Sequence, residues 1–252
     1  MLSRLFFLFT NNIVVNNLLI GLRLDAWMTS KFGIYKRIRI NRNLSAQEMA
    51  GFSKRADVQE ALDKAHQDLE EAVKNNLKKG DRILDIGSGA GAYLKTFAKN
   101  YRVVGIDLNK DMIEAGKINV PEAEFILADF LSYDFHQTFQ FIYSVSVLEF
   151  IPPSKLQLFF DKVHQLLAPG GVFYLNYPPA ISKRGLYYPD LYYIEYSPLK
   201  IEQTAARCEL IITKHEHAFD GRKITTFDAS PYFPGTRTFK NGYLLIANRS
   251  LM

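Results

Sequence analysis

Cysteine is almost missing from this 252-residue chain, Cys208 being the one example. One thiol cannot close an internal disulfide, which fits a reducing, cytoplasmic setting, and a chain this long needs no covalent staple. Cys208 reads as a small apolar packing residue near a helix end. Long hydrophobic runs are lacking too. Arg4 leads into Leu5-Phe6-Phe7-Leu8-Phe9, but Asn11, Asn12, Asn16 and Asn17 break the run. No stretch reaches the ~20 apolar residues of a spanning helix, and no small-residue cleavage site follows. The asparagines spread around a helical wheel, so the segment is not a clean amphipathic anchor. A domain-capping or partner-facing helix is the expectation, with a peripheral membrane contact as the alternative. Internal repeats and low-complexity tracts are absent. No metal site is expected, since His215-x-His217 lacks the further ligands of a usual zinc site.

Basic charge is abundant, but in one place. Residues 1–56 hold nine Lys/Arg against Asp25 and Glu48, a net +7, so the +5 of the whole chain leaves −2 for the remainder. A basic arm suits RNA, an anionic membrane or an acidic partner; a solvated surface is the plainer reading. The chain is thus divided into a basic N-terminal helical or cap segment, 1–56, and a main domain, 57–252.

The main domain opens on Asp57-Val58-Gln59-Glu60, a capping-box pattern. Val58, Ala61, Leu62, Ala65, Leu69, Ala72, Val73 and Leu77 then recur at helical spacing, up to Lys79-Gly80. Strands are expected at Arg82–Ile86, Arg102–Ile106, Glu124–Ala128, Phe139–Val145 and Val172–Tyr177, with a helix over Lys155–Leu167 stopped by Ala168-Pro169-Gly170-Gly171. This alternation predicts a parallel sheet covered by helices on both faces. After it come a Pro- and Tyr-rich insert, 178–198, a helix at Leu199–Cys208, and strands at Leu210–His217 and Gly242–Asn248. The segment from Asp220 to Asn241 is long for an ordinary loop.

The strand Arg82–Ile86 runs into Gly87-Ser88-Gly89-Ala90-Gly91. A glycine turn at a strand–helix junction lets a ligand approach the backbone closely. The spacing is Asp-x-Gly-x-Gly-x-Gly, not the G-x-G-x-x-G of dinucleotide sites. Asp107 ends the second strand, 22 residues after Asp85, where a carboxylate can accept a ribose diol. Asp129-Phe130 ends the third, where a carboxylate and a ring can meet an adenine. An acid at the head of the turn suits a cation better than a pyrophosphate.

On these residues the chain resembles the class I S-adenosylmethionine-dependent methyltransferases. Ile83–Gly91, Val103–Asn109, Phe125–Phe130, Phe139–Ile151 and Leu166–Gly171 match successive family segments, over about residues 80–177. The resemblance implies a Rossmann-like, doubly wound, seven-stranded and mostly parallel sheet whose antiparallel last strand, Gly242–Asn248, lies between strands five and six. It implies S-adenosylmethionine as cofactor. Asp85, Gly87, Ser88, Gly89 and Gly91 would form the turn at its methionine part, Asp107 would hold the ribose, and Leu108, Asp129 and Phe130 would lie at the adenine, with Ser144 and Val145 closing the pocket. Many small-molecule members read Leu-Glu-His where this chain has Leu148-Glu149-Phe150, so that histidine's role does not carry over.

Methyl transfer from a sulfonium is an in-line displacement that needs no acid and works largely by positioning; a hydroxyl acceptor needs a base where an amine does not. No catalytic pair stands out. His215 and His217 alternate on one strand face and are candidates for a base, or else surface or packing residues. Glu149, Tyr187 and Tyr192 are candidates for the acceptor pocket. His66 is expected to be exposed. Asn176-Tyr177-Pro178-Pro179 follows strand five instead of strand four, which argues against a DNA amino-methylation motif and for a strand exit made rigid by prolines. The expected function is methyl transfer to O or N of a small-molecule or metabolite-like acceptor. The alternatives are an RNA or protein acceptor engaged by the basic arm, and a non-catalytic cofactor-binding partner subunit. Oligomeric state is not written in the sequence.

Overall fold

A computed structural model describes residues 56–177, 186–188, 193–196, 198–217, 223–225, 238–240 and 243–250; for some helix and strand residues among these only the backbone is described. Expectations about the basic segment 1–55 lie outside these residues. Helix α1 (Ala56–Asn76) leads into β1 (Arg82–Ile86), α2 (Leu94–Phe97), β2 (Arg102–Asp107), α3 (Lys110–Asn119), β3 (Glu124–Leu127) and β4 (Phe139–Val145). Two single 3-10 turns, Leu148–Phe150 and Pro153–Lys155, precede α4 (Leu156–Leu166) and β5 (Leu167–Tyr177). The remainder is β6 (Leu186–Tyr188), β7 (Tyr193–Glu195), α5 (Pro198–Arg207), β8 (Leu210–His217), β9 (Lys223–Thr225), β10 (Thr238–Lys240) and β11 (Tyr243–Arg249).

Seven strands form one sheet in the order β3-β2-β1-β4-β5-β11-β8. The first five are mutually parallel, and β11 runs antiparallel between β5 and β8. This is the expected doubly wound arrangement with its reversed last strand. Alternation along each strand separates two cores. Leu84, Ile86, Val104, Ile106, Ile142, Phe173 and Leu175 face one side, where Leu156, Phe159, Phe160 and Val163 of α4 and Ile201 and Ala205 of α5 cover them. Ile83, Val103, Phe141, Tyr143, Val172 and Tyr174 face the other, under Leu69, Ala72 and Val73 of α1 and Leu94 and Phe97 of α2. Each fully buried large side chain contributes about 1.5–3 kcal/mol.

Some boundaries differ from the sequence reading, each for a local reason. Asp57 lies inside α1 and not ahead of it. That helix ends at Asn76, whose side chain donates to the Ala72 carbonyl, and Gly80 takes φ +91° in the following turn. β5 begins at Leu167 because that residue already pairs with Phe139; the ladder then slips before Phe141 meets Val172. Gly170 sits at φ +73°, and a Cβ on Gly171 would stand 2.8 Å from the Ala168 carbonyl oxygen, so the kink needs both glycines. Within the Tyr-rich insert β6 and β7 pair as an antiparallel ladder, as do β9 and β10 in the long segment before β11. Neither pair was expected.

Candidate active site

The glycine turn leaves β1 at the carboxyl edge of the sheet. Gly87 and Ser88 donate their amides to the Ile106 carbonyl of β2, and Gly91 donates to Ser88 O. Gly87, Gly89 and Gly91 adopt φ +77°, +51° and +77°, left-handed values that favour glycine. Their surroundings differ. A Cβ on Gly87 would overlap Val147, and one on Gly91 would overlap Phe125, but a Cβ on Gly89 would meet nothing within 4 Å. Two glycines therefore serve packing, and the middle one opens a space beside the backbone. The Ser88 side chain folds back over Gly105 of β2.

Asp107 stands across this space. Gly89 N donates to its Oδ2 at 2.9 Å and Asn109 N to its Oδ1 at 2.8 Å. Burial raises its pKa while the backbone amides pull it down. The Leu108 amide adds a third backbone bond, which still leaves the carboxylate acceptor capacity for a hydroxyl proton. Leu108 (44% exposed) and Leu127 (49% exposed), the latter in register with Asp107, leave apolar surface beside it. Asp129 accepts from Leu131 N through Oδ1. The Phe130 ring corrects the expectation of adenine stacking: it is 7% exposed and packs on Phe135 and Phe159 in the core.

Asp85 is buried at the end of β1, where the Tyr143 hydroxyl donates to its Oδ2 at 2.8 Å. Burial pushes its pKa up to about 8, with the Tyr143 bond opposing and nearby Asp107 adding to the rise. It bonds a phenol from the next strand, so its role is not local capping. Glu149, in the turn after β4, is 5% exposed and is likewise pushed up to about 8 by burial. Its Oε2 has no partner; neither do Ser88 Oγ, Tyr93 Oη, Ser144 Oγ and Asn176 Nδ2. Buried polar atoms are nearly always paired. Among the described residues, these five fall in the last residues of β4 and β5 or in the segments after β1 and β4, around one end of the sheet. Val145 is half-buried, and Ser146 takes φ +55° as the chain leaves β4.

The last part of the domain brings in residues the sequence did not offer. Tyr177, ending β5, has its hydroxyl 2.6 Å from His215 Nε2, and His215 Nδ1 lies 2.6 Å from Glu202 Oε1 of α5. The His215 side chain is 6% exposed, which sets aside the surface reading and leaves those of a base or a packing residue. Only a search for residues that could meet across α5, β5 and β8 would have suggested Tyr177 and Glu202. Of His217 and Tyr187 only the backbone is described, and Tyr192 lies outside the described residues. His66 is not simply exposed: its Nε2 lies 2.8 Å from Thr96 Oγ1 and its ring stands edge-on to Tyr93. Cys208 packs at the end of α5 as expected, its thiol donating to Asp161 and the Thr204 carbonyl. Burial pushes that thiol up to about 12, which removes it as a nucleophile. Among the described residues, no cluster of His, Cys, Asp and Glu could hold a metal, and no helix is long and apolar enough to cross a membrane. A cavity of about 490 Å³ lined by Arg82, Thr138 and Lys162 lies at the opposite, amino edge of the strands.

Comparison with known proteins agrees with this geometry. Residues 83–171 match the family described as methyltransferase domain. The chain is 32% identical over 111 residues to carboxy-S-adenosyl-L-methionine synthase of Nautilia profundicola, covering 41% of this chain and 47% of that protein. It is 26% identical over 106 residues to trans-aconitate 2-methyltransferase of Rhizobium rhizogenes, covering 41% of each. The matched part thus spans less than half of either relative. The N-methyltransferase NodS of Bradyrhizobium japonicum, solved with S-adenosyl-L-homocysteine, has a similar fold: TM-score 0.62 at 14% identity, over 86% of this chain and 98% of that one. Residues 83–171 are thus similar to a methyltransferase domain, and the sheet that holds them has the fold of NodS.

Proposed function

We propose that this chain moves a methyl group from S-adenosylmethionine to O or N of a small-molecule or metabolite-like acceptor. The observation that carries the reading is the carboxyl edge of the sheet. There Gly89 leaves open space next to Asp107, and buried polar atoms without partners lie at and just beyond the ends of β1, β4 and β5. The donor set fits a phosphate-free cation with a ribose and an adenine. Backbone around Gly87 to Gly91 would hold the methionine part. Asp85 supplies a carboxyl that gains charge when an ammonium approaches. Asp107 would accept the ribose diol, Leu108 and Leu127 would cover the base, and Asp129 would meet its amino edge. Ser144, Val145 and Glu149 would form the wall toward the acceptor.

When bound, the cofactor supplies a methyl group on a sulfonium, which leaves behind a neutral thioether. The residues therefore have to hold and orient the acceptor and exclude water. The relatives named for small acceptors, trans-aconitate in one case and a sterol in another, support the small-molecule class. Calorimetric binding of S-adenosyl-L-homocysteine, followed by a labelled-methyl scan of a metabolite library, tests the reading. No binding at millimolar concentration would overturn it.

The concentration of positive charge in residues 1–56 favours one second reading, an RNA or protein acceptor engaged by that arm. RNA and protein extracts as acceptors in the same assay separate the two.

A further inference from the structure

We propose that Tyr177, His215 and Glu202 form a proton exit from the acceptor pocket, and that the acceptor is a phenolic hydroxyl group that must lose its proton to take the methyl group. This rests on the methyl-transfer reading above.

The three residues come from three elements, β5, β8 and α5. Both links are 2.6 Å: Tyr177 Oη to His215 Nε2, and His215 Nδ1 to Glu202 Oε1. A carboxylate at Nδ1 keeps a proton on that nitrogen and turns Nε2 into an acceptor for the phenol. Glu202 from α5 and Tyr177 from β5 are titratable groups bonded to His215, and β11 brings Leu245 opposite it in the ladder. The chain of bonds has a direction. Tyr177 is 1% exposed, whereas the Glu202 side chain is 45% exposed. It runs from the interior to water.

The inner end is placed for the work. Tyr177 ends β5 at the carboxyl edge of the sheet, next along the strand to Asn176, which pairs with Val145 of the expected pocket wall and whose own side chain points to the opposite face. Tyr177 belongs to the same buried cluster as Leu148, the neighbour of Glu149, and Tyr196, whose hydroxyl donates to the Ile151 carbonyl just beyond.

The step balances. The acceptor O–H bond breaks as the O–CH3 bond forms, and the donor's S–CH3 electron pair stays on sulfur. The released proton passes to the Tyr177 oxygen while the Tyr177 proton passes to His215 Nε2. The imidazolium is held by the Glu202 carboxylate until it yields its Nδ1 proton outward. One positive charge leaves the sulfonium and one proton reaches solvent. A neutral amine acceptor needs no such exit in the transfer step.

The test uses the full chain, a labelled methyl donor, and a graded panel from unactivated phenols to nitrophenol, with anilines beside them. S-adenosyl-L-homocysteine binding is measured in parallel. Expected is methylation of phenols by the wild type. Tyr177→Phe and His215→Gln should lower kcat on unactivated phenols roughly 100-fold, with KM and S-adenosyl-L-homocysteine binding little changed. The loss should shrink on nitrophenol, which is already ionised. Glu202→Gln, at a half-exposed position, keeps the test open if the buried variants unfold; it should move the acidic limb of the pH–rate profile to lower pH. Equal losses across the panel, wild-type rates in the variants, methylation of anilines alone, or binding with no phenol methylated would each overturn the proposal while leaving methyl transfer standing. Absence of S-adenosyl-L-homocysteine binding would overturn both.

Discussion

Two buried carboxyls set the pH behaviour of single residues here. Asp85 and Glu149 each rise to about 8 on burial, from ordinary values of 3.8 and 4.5. An acid whose pKa is raised by folding binds its proton more tightly in the folded state. Its favourable contribution is therefore complete below the unfolded value and is lost as pH climbs through the folded one. The domain should melt lower at about pH 8 than at about pH 5, and Asp85→Asn with Glu149→Gln should flatten that slope; melting curves at the two pH values check it. Asp107→Ala should weaken S-adenosyl-L-homocysteine binding by roughly 1–3 kcal/mol, read by calorimetry, because a charge-assisted acceptor is lost. Asp107 was readable from the sequence because its place at a strand end follows from the backbone alone. The inward turn of Phe130 and the buried partners of His215 were not. They depend on which side chains meet across elements distant in the chain.

Among the elements, the glycine turn separates two kinds of necessity. Gly87→Ala forces a Cβ into Val147 at a left-handed φ and should lower the melting temperature. Gly89→Ala meets open space at a milder φ of +51° and should cost more in ligand binding than in folding. Measuring both quantities for both variants tests this crossing of effects. A second element-level tie joins β11 to α4. Arg249 Nη1 donates to the carbonyls of His164, Gln165 and Leu167, which helix geometry otherwise leaves open at that end. Arg249→Ala should destabilise the domain by about 1.5–3 kcal/mol in denaturant titration. Most core strands and the helix before β5 were readable within a residue or two because their apolar periods are strong, whereas the early start of β5 at Leu167 was hidden by the Pro169-Gly170-Gly171 kink. The pairs β6–β7 and β9–β10 escaped because three-residue strands carry too little pattern to distinguish them from loop.

Over the whole molecule, the fold class followed from the order of strands and helices and the type of site from the glycine spacing, since both are properties of the chain read in one direction. The proposed acceptor side did not follow, because its candidate residues come from the ends of β4 and β5, α5 and the edge strand β8, which come together only when the sheet closes. That closure has a consequence for biosynthesis. The edge of β5 away from β4 is filled by β11, so every residue from Tyr177 to Tyr243 must leave the ribosome before it is paired. Until then the nascent domain displays an open, strongly apolar strand edge, the kind of surface on which chains associate wrongly. β8 emerges earlier and must be kept from taking the vacant position. The order of emergence therefore leaves that edge of β5 unpaired when most of the sheet is already in place.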